Sequence, residues 1–204
     1  MYTPKYNLMT DKEEIINFIK TYSFGIIITS TDNYPVATHL PFVVSEKDGD
    51  IFLTSHFAKA NKQWEQLIDR DALVIFSEPN AYISPTFYDS TMEVPTWNYI
   101  AVHVYGRGRI LTESSESFEM LEMMIDSFER SYKEQWEALP AKFKNSLVKE
   151  IVAFQIIVSD IQGKKKISQN KKKSERSRII AAFEASDKSQ ENVIAEFMKR
   201  NEEL

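Results

Sequence analysis

The sequence predicts an α+β chain that is mainly β: an antiparallel barrel, closed or partly closed, with helices covering its ends. Six or seven short segments rich in β-branched and aromatic residues are joined mainly by hairpin-length turns. No regular helical crossover separates them, which argues against a doubly wound parallel sheet. Helical periodicity takes over as the dominant pattern only after Thr112.

The elements follow in order. Thr10 and Glu13 form a Thr-x-x-Glu pattern that should cap a first helix bearing Ile15, Phe18, Ile19 and Tyr22. "FGIIIT" is compact and β-branched, and reads as a strand. "STDN" turns the chain into "YPVATHLPFVV", a second strand interrupted by Pro35 and Pro41. Asp48-Gly49 is a hairpin signal, and "DIFLTSH" is the returning strand. "AKANKQWEQLID" predicts a helix starting near Ala58, with Trp64, Leu67 and Ile68 on one face. "ALVIFSE" is a fourth strand and "AYISPTFY" a fifth strand or an extended loop. "VPTWNYIAVHVYGRGR" supplies the sixth, where Ile100, Val102 and Val104 alternate with Tyr99, Ala101, His103 and Tyr105. Phe118, Leu121, Ile125, Phe128 and Tyr132 predict one long amphipathic helix from Thr112 to about Trp136, ended by Pro140. A short helix, a strand centred on "AFQIIVSDI" and a charged helical tail from Ser174 complete the chain. The expected division is a barrel domain over 1–162, then a basic segment and tail over 163–204.

Composition limits the function. A chain of 204 residues, 43% hydrophobic, can bury one large core. The absence of cysteine excludes disulfides, thiolate metal sites and a Cys nucleophile, and fits a reducing cytoplasm. Residues 1–14 show no apolar signal-peptide core, and no run approaches the roughly 20 residues of a membrane span. A net charge of -5 disfavours nucleic acid for the surface as a whole. Residues 163–178 nevertheless hold eight Lys and Arg against one Glu, which leaves DNA as a partner of that strip alone.

Three patches carry more polar and aromatic residues than a core needs. One is Thr38-His39. The second is "TSHFAKANK", with Thr54, Ser55, Lys59 and Asn61. The third joins "ISPTFY", with Ser84, to Trp97, Asn98, Tyr99 and His103. A helix opening near Ala58 would aim free N–H groups and Lys59 at a phosphate. A capped helix with a solvated lysine explains the same residues. His39, His56 and His103 have no compact metal-ligand spacing. No Gly-x-Ser-x-Gly elbow, Walker loop or dinucleotide fingerprint occurs.

"HLPF", "SHFAKAN", "AYISPTFY", "VPTWNYIAVHVYG" and "GKKKISQN" follow one another in the chain. Together they resemble the PaiB family of FMN-binding negative transcriptional regulators, over about residues 1–178. The resemblance implies a split β-barrel like that of pyridoxamine-phosphate oxidases and flavin reductases, and a homodimer with FMN at the subunit interface. It also implies negative control of degradative enzymes, proteases among them, and of sporulation. It places Lys59 on the FMN phosphate, with Thr54, Ser55 and Asn61 beside it, and Thr38 and His39 along the ring and ribityl chain. Ser84, Trp97, Asn98, Tyr99 and His103 become a flavin wall, and Lys166, Ser168, Gln169 and Asn170 reach a flavin site from the C-terminal segment. Family members commonly carry Trp where this chain has Phe87, which removes one N–H donor. Two other functions compete with the regulator. One is a flavin-dependent oxidoreductase using a nicotinamide or other small-molecule reductant; the other is a binding module without flavin.

Overall fold

The computed structural model describes residues 1–31 and 33–202. Strands β1 (Leu8–Met9), β2 (Phe24–Thr31), β3 (Tyr34–Pro41), β4 (Val43–Lys47), β5 (Asp50–Ala58), β6 (Asp71–Phe76), β7 (Asn80–Ile83), β8 (Thr96–Ile110) and β9 (Ile151–Lys166) form the sheet. The helices are α1 (Lys12–Thr21), α2 (Ser114–Phe128), α3 (Lys133–Ala138), α4 (Ala141–Val148), α5 (Lys173–Glu184) and α6 (Ser189–Glu202). The chain forms two compact units. The first comprises Met1–Ile15, Ser77–Val102 and Gln162–Leu204, and the second Ile16–Phe76 and His103–Ile161.

The second unit is a barrel for a covalent reason. Strand order is β3-β2-β6-β8-β9-β5-β4. Laid flat, seven strands at about 4.8 Å spacing would hold the two edges roughly 29 Å apart. Yet β3 and β4 are joined by one residue, Phe42, so the sheet must curl until its edges meet. Phe42 then points into the interior. It is 1% exposed, and its ring lies edge-on to Phe76 at 5.7 Å and to Phe154 at 6.2 Å. Phe57 stacks on Phe154 at 4.8 Å, and Ile27, Leu53 and Val74 complete a dry core. Met120 and Met124 of α2 cover a satellite cluster with Val43, Leu111 and Ala153. The Asp48-Gly49 hairpin is as expected: both residues have positive φ, 55° and 91°, as its tight turn requires.

In the first unit β7 pairs antiparallel with Thr96–Tyr99 of β8, and β1 pairs with Gly163 and Lys164 of β9. Helices α5 and α6 bury Ile179, Phe183, Ile194 and Met198.

Several boundaries differ from expectation. The cap of α1 is Asp11, whose carboxylate accepts from Glu13 N at 2.8 Å and Glu14 N at 3.0 Å; a carboxylate next to the first turn displaces Thr10. The long helix breaks at Glu129, where φ -154° and ψ 71° leave helical space, and continues as a 3-10 turn and α3. The expected fifth strand stops at Ile83 because Pro85 starts a 3-10 turn. The helix expected from Ala58 does not form. Strand β5 continues through Ala58, and only a 3-10 turn, Lys62–Leu67, follows. Leu67 is buried while Ile68 is 48% exposed, so the two do not share a buried face.

Candidate functional site

In the second unit the site is built around the turn that carries Lys59. That turn has no α-helical N-terminus to offer a phosphate, so the helix-dipole argument falls. What replaces it is a pinned loop. Lys59 N donates to Glu150 O at 2.8 Å, and Lys59 O accepts from Trp64 Nε1 at 3.3 Å. Asn61 caps the 3-10 turn by accepting from Gln63 N at 3.0 Å, and its amide donates to Thr38 Oγ1 at 2.9 Å. Thr38 donates in turn to Gln63 Oε1 at 2.5 Å. Gln63, 2% exposed, donates onward to Ile27 O, Thr29 Oγ1 and Val36 O at 3.0–3.2 Å. One buried amide therefore ties β2, β3 and the Lys59 turn together, and leaves the Lys59 side chain exposed at the surface.

His39 is exposed on β3, its ring 6.3 Å from that of Phe24 with planes 27° apart. Thr54 and Ser55 are buried. Thr54 accepts from Gln155 Nε2 at 3.3 Å and Ser55 donates to Pro41 O at 2.7 Å, so both hydroxyls serve the barrel wall. His56 and His103 each keep a buried Nδ1 without a partner, and burial holds both imidazoles below the usual histidine range. An exposed lysine on a pinned turn, with a flat Phe24–His39 pair on the same barrel, fits an anionic phosphate and a planar ring.

In the first unit Asn98 is fully buried. Its Nδ2 donates to Ser168 Oγ at 2.9 Å, and the Ser168 hydroxyl lies 3.2 Å from Asn98 Oδ1. Ser168 sits at φ 64°, and Gln169 closes that turn by accepting from Ile167 N at 2.8 Å and donating to Lys165 O. Ser84 caps the Pro85–Phe87 turn through Thr86 N at 3.2 Å. Phe87 lies edge-on to Phe183 at 6.2 Å, where an indole donor is not needed. Trp97 is 53% exposed and edge-on to Tyr82; Tyr99 lies beneath the Lys164 ammonium at 5.1 Å. Lys166 and Asn170 line a cleft of about 250 Å³ together with Tyr88, Thr96 and Lys171.

At least four of the eight cations in the basic run are paired with acids. Lys165 bridges Glu14 at 2.5 Å, Lys171 bridges Glu93 at 2.8 Å, and Asp89 receives Lys172 at 3.2 Å and Arg178 at 2.5 Å. Sequence reasoning missed Gln63, Tyr88, Glu93 and Thr96. Asn61-x-Gln63 is a legible turn signal, and an acid such as Glu93 is what a run of lysines demands. Which acid answers which lysine depends on the fold. Among the described residues no group of three His, Asp or Glu could hold a metal ion, and no helix is long and apolar enough to cross a membrane.

Comparison with known proteins adds the family. Residues 1–160 match the family model described as "Putative FMN-binding domain". The chain is 40% identical to "Protease synthase and sporulation protein PAI 2" of Bacillus subtilis over 98% of this chain and 97% of that protein. An uncharacterised protein of Emericella nidulans is 29% identical, over 81% of this chain and 83% of that one. Among solved structures, the flavocytochrome Anf3 of Azotobacter vinelandii superposes with TM-score 0.63 at 15% identity, over 81% of this chain and 72% of that one. The FAD and heme binding protein of Mycobacterium smegmatis gives 0.62 at 16%, over 78% and 73%. These likenesses show the fold, the split barrel of flavin-binding proteins.

Proposed function

Because the chain belongs to the FMN-binding domain family, we propose that it is a flavin-holding regulator which restrains degradative-enzyme production and sporulation, as a homodimer with FMN at the subunit interface. The near-full-length likeness to the Bacillus subtilis protein supports the regulatory half. The pinned Lys59 turn is the observation that carries the flavin half.

FMN, when bound, supplies reversible redox chemistry of its own. The chain supplies position and charge. Lys59 neutralises the phosphate, and the Asn61–Thr38–Gln63 network holds its turn in place so that little order is lost on binding. His39 and Phe24 offer a flat face on the barrel. Thr54 and Ser55 shape the barrel wall beside Lys59, while in the first unit Ser84, Asn98, Ser168 and Gln169 fix the backbone around Trp97 and Tyr99. His103 braces β8. Exposed Phe24, Tyr34, Tyr82 and Trp97 are apolar surface available to a second copy. With so many of its cations paired to acids, we assign residues 163–178 to the stability of their own unit rather than to DNA.

The test has two arms. Wild-type protein should bind FMN more tightly than riboflavin, and Lys59→Ala should weaken FMN about tenfold to a hundredfold while leaving riboflavin nearly unchanged. Equal losses for both ligands would remove Lys59 from the phosphate. Separately, expressing the chain in a Bacillus subtilis strain lacking its 40%-identical relative should restore low protease secretion. Unchanged secretion at normal protein levels would reject the regulatory reading.

A further inference from the structure

The cleft in the first unit is lined in part by Asn98, Lys166, Ser168 and Asn170, which the family resemblance assigns to flavin, yet its charge and its buried tyrosine point to a further ligand. Tyr6, Tyr88, Val94, Thr96, Lys166 and Lys171 line its 250 Å³. Two ammonium groups enter it, and their situations differ. Lys171 is neutralised by Glu93 at 2.8 Å and rests 3.9 Å over the Tyr88 ring. Lys166 donates to the neutral hydroxyl of Thr96, and among the described residues no carboxylate pairs with it. Burial draws the Lys166 ammonium below the usual lysine range, and the neighbouring Lys164 charge adds to that. Tyr88 is 8% exposed, and its hydroxyl is buried without a hydrogen-bond partner. A buried donor and an unanswered cation lining one polar cleft are groups left for a ligand to satisfy.

We propose that this cleft is a second site, binding a small flat monocarboxylate. The net charge selects the class. One uncompensated positive charge complements one negative charge, and Glu93 repels anything more anionic, a phosphate dianion included. The aromatic and aliphatic walls, Tyr6, Tyr88 and Val94, favour a flat apolar body behind the carboxylate. The volume, about 250 Å³, accommodates a single-ring ligand. The ligand carboxylate takes the Lys166 ammonium, and the Tyr88 hydroxyl donates to the same molecule. The proposal stands whether or not FMN binds elsewhere.

The test is calorimetric titration of the full chain with benzoate and with inorganic phosphate, with and without saturating FMN. Benzoate should bind in the micromolar to millimolar range, phosphate at least tenfold more weakly, and FMN should leave the benzoate affinity unchanged. Lys166→Met should weaken benzoate about tenfold or more, and Tyr88→Phe should leave FMN affinity intact. Tyr88→Phe removes an unsatisfied hydroxyl, so it should fold at least as stably as wild type while binding benzoate several-fold more weakly. No benzoate binding at 10 mM (roughly the weak limit of specific recognition), a Lys166→Met affinity equal to wild type, or tighter phosphate than benzoate would overturn the proposal. Competition between benzoate and FMN would overturn it as well, by placing the cleft within the flavin site. If Lys166→Met does not fold, the Tyr88→Phe titration decides.

Discussion

Gln63 shows how much one side chain can hold. Its amide makes four side-chain hydrogen bonds while 2% exposed, to partners on β2 and β3. Gln63→Leu keeps the volume approximately but removes all four bonds, while Thr38 and Thr29 retain Asn61 and Gln66 as partners. We expect a loss of about 1–3 kcal/mol in urea unfolding, with weaker FMN binding because the Lys59 turn loses its anchor. Unchanged stability would mean that the network is not carrying the turn. His56 makes a different prediction. Burial depresses its folded pKa below the unfolded value, so the unfolded chain binds the extra proton first as pH falls. Stability is therefore complete above about pH 6.5 and declines below it, towards the folded pKa. His56→Asn should flatten that part of a pH series of melting temperatures; an identical slope would exclude His56 as its source.

Among the elements, β8 and β9 are long strands held in close approach by small residues. A Cβ on Gly106 would lie 2.3 Å from Ile157 O and 2.6 Å from Ile156 Cγ2, and the nearest obstacle is backbone that cannot rotate away. Gly108 meets Leu67 in the same manner, at 2.3 Å from Cγ and 2.4 Å from the carbonyl oxygen. Gly106→Ala should therefore cost about 1–3 kcal/mol or prevent folding, whereas strand propensity alone would favour alanine. A neutral result in thermal melts would show that the strands can separate locally at no cost. The Ser84–Pro95 connection is held by charge as well as by packing of Phe87 and Tyr88. Glu175 accepts from Asp89 N at 2.9 Å and from Lys172 N at 3.0 Å, and Asp89 answers Lys172 and Arg178. Hydrogen bonds, from Arg178 first, hold Asp89 below the usual carboxylate range, so this clamp persists above about pH 4 and loosens as pH falls further.

For the whole molecule, the 40% identity over nearly the full chain and the split-barrel fold agree, and the exposed aromatics supply surface for self-association. Sedimentation equilibrium at micromolar concentration should give twice the 23.7 kDa chain mass. A species at the chain mass alone would contradict the dimer and leave each flavin to a single copy.

The sequence by itself determined the class of the fold, because turn chemistry and strand alternation are local. Asp48-Gly49 specified its hairpin, and Ile100, Val102 and Val104 alternated into the interior as expected. It also carried the family, through the motifs around Trp97 and Lys59. Tertiary structure alone decided where helices stop and which polar groups are spent. The residues from Ala58 onward have helical periodicity, yet Ala58 itself is held in β5 because it pairs with Ile151 of β9, a partner 93 positions away. Asn98 reads as a ligand contact, and the fold adds its hydrogen bond to Ser168, seventy residues on. The lysines of 163–178 looked like a strip for a polyanion until Glu14, Asp89 and Glu93 met them. Hydrogen bonds and ion pairs act over about 3–4 Å, and pairs far apart in sequence come within that range only once the chain has folded.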